Sequence, residues 1–154
     1  MTLAKRLGAL AVIAVVSCAA GATRAPHLGA KPQSAVIVPA SAMTWLTQTP
    51  GLPIQIVTLW GDRSTGPFGE LVKLPGGFDS GLHAHTGDYR GVLIAGTWIH
   101  IEKGGAGGDQ ELGPGSYVLQ PGKGMHIDRC KAGAECILFI YQTEKPDILW
   151  DSEN

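Results

Sequence analysis

Three histidines carry the chemistry that this sequence could do. His83 and His85 stand two residues apart inside the stretch Gly77–Gly96. In a β-strand that spacing puts both side chains on one face. The stretch Gly115–His126 brings a third imidazole, His126. Paired as strands of one barrel, the two stretches let the three rings converge on a metal ion. Neutral imidazole suits Zn, Fe, Cu or Ni, and three histidines with open coordination positions make a workable catalytic set.

The elements that would hold these residues follow from the spacing around them. Gly77, His83, His85 and Gly96 fall in the register Gly-x5-His-x-His-x3-x-x6-Gly, with Tyr89 as the single residue between the last two spacers. Gly115, Pro121 and His126 form a second set, followed after three intervening residues by Cys130. These two sets resemble the paired motifs of the cupins. In cupins the position of Tyr89 is a Glu, that of Cys130 is an Asn, and a Gly stands where this chain has Lys123 between Gly122 and Gly124. Seven of the ten motif positions hold. More narrowly, the run from Phe68 to Ile140 is similar to small bacterial cupins related to the cupin domain of ChrR-type anti-sigma factors, and the resemblance covers roughly Trp60 to Gln142.

The resemblance implies an all-β fold, a single jelly-roll barrel, with His83, His85 and His126 as ligands of one divalent transition metal (Zn, Fe, Mn or Ni). It also implies a small-molecule ligand in the barrel, and cupins are often homodimers. The missing Glu is the main departure, because a tyrosine carries no charge at neutral pH. The fourth position is open to Asp88, Tyr89, a water or nothing. A regular strand points Asp88 away from His85, whereas a β-bulge turns it inward. Tyr89 or Asp88 is the expected proton donor. Glu70 reads as a surface carboxylate, or else one placed behind the ligands, and His100 as an exposed strand residue. Asp128 and Arg129 alternate across their strand, so one of them faces the cavity mouth.

The rest of the chain reads as scaffold and address. Residues 1–22 have the form of a secretory signal: Lys5 and Arg6, then the apolar run Leu7–Val16, then small residues. Ala20-Gly21-Ala22 offers a cleavage site, and Val15-Val16-Ser17-Cys18 resembles a bacterial lipobox whose Cys18 is acylated. The expected location is therefore the periplasm, either free or membrane-anchored as a lipoprotein. Residues 23–40 form a linker punctuated by Pro26, Gly29, Pro32 and Pro39, with a solvated His27. Cys130 and Cys136 bracket five residues that read as a hairpin tip, and export implies a compartment where a disulfide between them persists.

Residues 41–150 read as the barrel domain. Short apolar or alternating runs recur, among them Met43–Leu46, Ile54–Trp60, Gly81–His85 and Ile137–Gln142, separated by Gly- and Pro-rich turns, with 22 glycines in all. Gly104–Gly108 reads as a mobile hairpin loop. Beyond residue 17 the chain has ten basic and thirteen acidic side chains, a net of −3. It has no basic stripe, which argues against nucleic acid as a partner. Two classes of function remain: a metal-dependent enzyme acting on a small substrate, of oxygenase or isomerase type, and a non-catalytic sensing module.

The address label is testable by itself. Feeding cells a radioactive fatty acid should mark the wild-type chain and leave Cys18→Ala unmarked if the lipobox is used. A folded cytoplasmic pool with its leader intact would rule out both forms of export.

Overall fold

In a computed structural model of the chain, the described residues are 34–47, 50–105 and 108–151. The leader, Cys18 and His27 lie outside them, as does most of the linker. A short 3-10 turn at Ala40–Ala42 precedes eleven strands: β1 (Leu46–Thr47), β2 (Gln55–Gly61), β3 (Phe68–Leu74), β4 (His83–Ala84), β5 (Tyr89–Ala95), β6 (Trp98–Glu102), β7 (Glu111–Leu112), β8 (Tyr117–Gln120), β9 (His126–Cys130), β10 (Cys136–Gln142) and β11 (Leu149–Trp150). They form two antiparallel sheets, ordered β1-β2-β3-β10-β5-β8 and β11-β4-β9-β6-β7. The all-β, two-sheet barrel is the architecture the sequence predicts. The expected strand at Met43–Leu46 shrinks to β1 and that at Gly81–His85 to β4. Two short pairings, β7 and β11, fall outside the predicted runs.

The period-two pattern explains which faces meet. Along β3, Phe68, Glu70 and Leu74 are buried. Along β5, Tyr89, Gly91 and Leu93 are buried. With Phe78, Trp98, Leu138, Cys130 and Cys136 they form the packed interior. Gly91 is a close-approach position: a Cβ there would stand 3.1 Å from the Trp98 ring and 3.0 Å from Ile140. The missing side chain lets a fully buried indole lie across β5. Burying such a large side chain stabilises the fold by roughly 1.5–3 kcal/mol.

Cys130 and Cys136 are bonded, with Cα atoms 5.7 Å apart, but not across a hairpin. β9 pairs with β4 and β6, while β10 pairs with β3 and β5. Residues 131–135 therefore cross from one sheet to the other, and the disulfide ties the two sheets together at that corner. Short sequence separation alone suggested a hairpin. The strand pairings, which place β9 and β10 in different sheets, decide otherwise.

Closing so short a loop constrains the unfolded chain by about 2 kcal/mol on the chain-entropy model. Replacing both cysteines by serine should lower the melting temperature by roughly 5–10 °C for a domain of this size. A melting temperature unchanged between the serine variant and the oxidised wild type would contradict that account.

Candidate metal centre

The second motif loop is what brings β9 onto β4. Lys123 N–H donates to the His85 carbonyl at 2.7 Å. A Cβ at Gly122 would stand 2.4 Å from the Thr86 carbonyl oxygen, so only glycine lets the loop lie this close to the backbone after His85. Lys123, in the place of the cupin motif's glycine, has φ +65°, a left-handed conformation that non-glycine residues adopt only at a cost. The motif's backbone demands are thus still met, although its glycine has moved by one position.

With the loop seated, His83 and His126 become directly opposed cross-strand partners. Their ring centroids are 4.3 Å apart, and His85 lies 5.0 Å from His83 and 5.3 Å from His126. Each ring has a main-chain carbonyl at its Nδ1: Gly81 for His83 at 3.0 Å, Asp147 for His85 at 2.5 Å, and Gly124 for His126 at 2.9 Å. A carbonyl can only accept, so each Nδ1 carries the proton and each Nε2 keeps its lone pair. One ligand atom from each ring falls within 4.8 Å of the other two, a set that could hold a metal ion. His126 Nε2 is buried with no hydrogen-bond partner. A buried, unpartnered nitrogen is costly in a finished site, and a cation among the three Nε2 atoms would satisfy it. Burial also pushes His83 and His85 below the usual imidazole range, toward the neutral form that a metal requires. The residues present therefore fit a divalent transition metal.

A strap from the chain's C-terminal end closes one side. β11 pairs with β4, setting Trp150 opposite His83. Upstream of it, the Asp147 carboxylate accepts from the Thr86 backbone N–H at 2.8 Å and from the Thr86 hydroxyl. Burial works against ionisation there, but the Thr86 bonds outweigh it and hold the carboxyl below its usual range. The same residue's carbonyl orients His85.

Behind the cluster lies a polar group centred on Asp128, two residues from His126 on the same face of β9. Its Oδ1 accepts from Trp98 Nε1 and from His100 Nδ1, each at 2.8 Å, and its Oδ2 faces the Tyr89 hydroxyl at 3.3 Å. Burial alone would raise the Asp128 carboxyl, but the His100 bond prevails and holds it far below the usual carboxylate range. His100 Nε2 meets Gln120 Oε1 at 2.9 Å. The Gln120 amide nitrogen donates to the carbonyls of Gly124 and Pro121, which fixes that amide's orientation. Both His100 nitrogens thus face acceptors, the pattern of an imidazolium. Burial opposes the charge, and Asp128 more than offsets it, raising His100 above its usual value. Burial, together with the Asp128 charge, pushes the Tyr89 phenol well above its ordinary range. Tyr89 is therefore a neutral hydrogen-bond donor and not a phenolate.

His83 and His85 line a cavity of about 690 Å³, while His126 is fully buried behind them; the volume lies within the roughly 300–1,000 Å³ of typical small-molecule sites. Its walls are mainly apolar. Among its polar lining residues are Tyr89, Asp128 and the Arg63–Glu70 ion pair, whose Nε to Oε2 distance is 2.7 Å. Asp88 does not line it. The Asp88 carboxylate pairs with Arg90 at 2.8 Å, on a partly exposed surface. Glu70 is not a surface carboxylate: it is buried on the inner face of β3, and burial raises its carboxyl against the pull of Arg63. His100 is not exposed either; its side chain is only 10% accessible. The signal for both was period two. Glu70 shares its face with Phe68, Val72 and Leu74, and His100 shares its face with Trp98.

Residues 53–149 match a family model described as a domain of unknown function (DUF4437). No curated protein matches the chain. Among solved structures, an RmlC-like cupin protein from Ralstonia eutropha is 21% identical, with a TM-score of 0.61, covering 77% of this chain and 74% of that one. The polyketide cyclase RemF from Streptomyces resistomycificus is 17% identical, with a TM-score of 0.62, covering 77% and 88%. The complex of SigE with the anti-sigma ChrR from Rhodobacter sphaeroides gives 17% identity and a TM-score of 0.53 over 68% of this chain and 51% of that one. At these identities the likeness is one of fold, and the fold is that of the cupins.

The strap makes a specific prediction. Asp147→Ala should free the strap from Thr86, loosen the His85 ring and weaken cobalt or zinc binding about tenfold, in line with other groups that orient a ligating histidine. Competition with a chromophoric chelator measures this. Unchanged affinity would show that the Gly81 and Gly124 carbonyls suffice to align the set.

Proposed function

This chain belongs to the DUF4437 family, and on that premise we propose that it is an exported metal-binding cupin that takes a small organic molecule into its barrel. One observation carries the reading. Three imidazoles, two buried and His85 half-buried, have all committed their Nδ1 protons to backbone carbonyls, with His126 Nε2 left without a hydrogen bond and His83 and His85 lining a cavity large enough for a ligand. His83, His85 and His126 would hold one divalent transition metal per chain. Bound there, such an ion would supply Lewis-acid polarisation.

The chain's own residues account for the rest. Val72, Leu138 and Ile140 give the ligand an apolar wall. Arg63 and Glu70 place a charged pair on it. Tyr89, neutral and aimed at Asp128, offers a proton at the edge of the cluster. That last feature favours catalysis over passive sensing, since a purely structural site has no need of a poised donor next to open coordination. The leader expected at residues 1–22 supports export.

Metal analysis of purified variants tests the reading. His83→Ala, His85→Ala and His126→Ala should each lose most of the bound metal, because each removes one of the three imidazoles that would hold it. Tyr89→Phe should keep its metal and lose turnover on any substrate found. Full occupancy in all three alanine variants would reduce the likeness to fold alone.

A further inference from the structure

The cupin motif carries a carboxylate where this chain has Tyr89, so three neutral imidazoles would leave a divalent ion's charge uncompensated in a buried site. That is electrostatically expensive at low dielectric. We propose that Asp128 is the anionic ligand of the metal centre, supplied from β9 in place of the carboxylate missing from β5. The inference rests on the metal-binding reading above.

The carboxylate approaches one histidine of the three: Asp128 lies outside the set whose ligand atoms all fall within 4.8 Å of one another, His83, His85 and His126, and ligation would draw it toward the other two. His126 and Asp128 are two apart on β9 and share its inner face. Asp128 Oδ2 lies 3.5 Å from the unpartnered His126 Nε2. That separation is too long for a good hydrogen bond. It is close to the roughly 3.0–3.4 Å that separates neighbouring ligand atoms around one ion with metal–ligand bonds of about 2.0–2.1 Å. The two oxygens of the carboxylate are divided between tasks. Oδ1 is fixed by Trp98 and His100, and Oδ2, which accepts a long hydrogen bond from Tyr89 at 3.3 Å, faces His126. The backbone is held as well: Asp128 N–H donates to Ser80 Oγ at 2.8 Å, and Ser80 N–H donates to the Asp128 carbonyl at 2.9 Å. Asp128 is thus held beside His126 before any metal arrives, with Oδ2 the oxygen that would turn to the ion. Asp88 cannot serve, because its carboxylate is turned to Arg90.

The probe is Co(II) alone, titrated into the purified protein and followed by its visible absorption. Asp128→Asn should weaken Co(II) binding tenfold or more and change the spectrum. Adding Tyr89→Glu, which returns a carboxylate to the motif's own position, should recover most of the loss. A second measurement needs no mutation. With aspartate carbon-13 labelled at the side-chain carboxyl, the infrared difference between metal-free and Co(II)-loaded wild type should contain a shifted carboxylate band that disappears in the Asn variant. An Asn variant that folds and binds Co(II) as tightly as wild type, with the same spectrum, overturns the proposal. So does a wild-type difference spectrum without an aspartate band, which also decides the matter should the Asn variant fail to fold. Wild type that binds no Co(II) would instead overturn the metal-binding reading beneath it.

Discussion

The site depends on one repeated interaction, an imidazole N–H given to a main-chain carbonyl. It occurs three times, from three separate turns of chain, and each instance does two things at once. It fixes a ring's tilt, and it decides which nitrogen keeps a lone pair. The acceptors are the carbonyls of Gly81, Gly124 and Asp147. Two of them lie two residues before the histidine they hold, so they are set by the strand entry itself. The third comes from the far end of the sequence and must be delivered by folding. The barrel's closure and the site's readiness are therefore the same event for His85, and separate events for His83 and His126.

The readable part of the sequence was what is local or periodic. The two motifs announced the fold because each packs a turn, a strand start and a histidine into a dozen residues. Cys130 and Cys136 announced their bond by proximity, though not the layers they join. What escaped was the work of residues with distant partners. Glu70 looked like surface because a charged pair seven residues apart, with Arg63 in the turn between β2 and β3, gives no periodic sign that it is buried. His100 looked exposed because its acceptors sit on β8 and β9. The pairing of β11 with β4 rests on two residues beyond Pro146, and a strand of that length leaves no periodic signal. Asp88 attracted attention through closeness in sequence to the histidines, but the pleat sends it outward to Arg90.

A polar group as buried as the one around Asp128 is costly unless every member is satisfied. Here the carboxylate gathers an indole, an imidazolium and a phenol, and the Gln120 amide closes the far side of His100 against two backbone carbonyls. The group spans β5, β6, β8 and β9, so it ties both sheets to the floor of the cavity. The near-complete satisfaction of these atoms contrasts with His126 Nε2 beside them, which has no hydrogen-bond partner among the described residues and stands 3.5 Å from Asp128 Oδ2.

The division between the sheets has a consequence for how such a protein can diversify. The three histidines belong to the smaller sheet, on or just after β4 and at the start of β9. Much of the apolar cavity wall, including Ile56, Val72, Leu138 and Ile140, comes from β2, β3 and β10 of the larger one. A change of side-chain size on that wall alters what fits without touching any strand that carries a histidine. The shape of the cavity and the three-histidine cluster are thus written largely on different layers, so mutation can explore the first without disturbing the second.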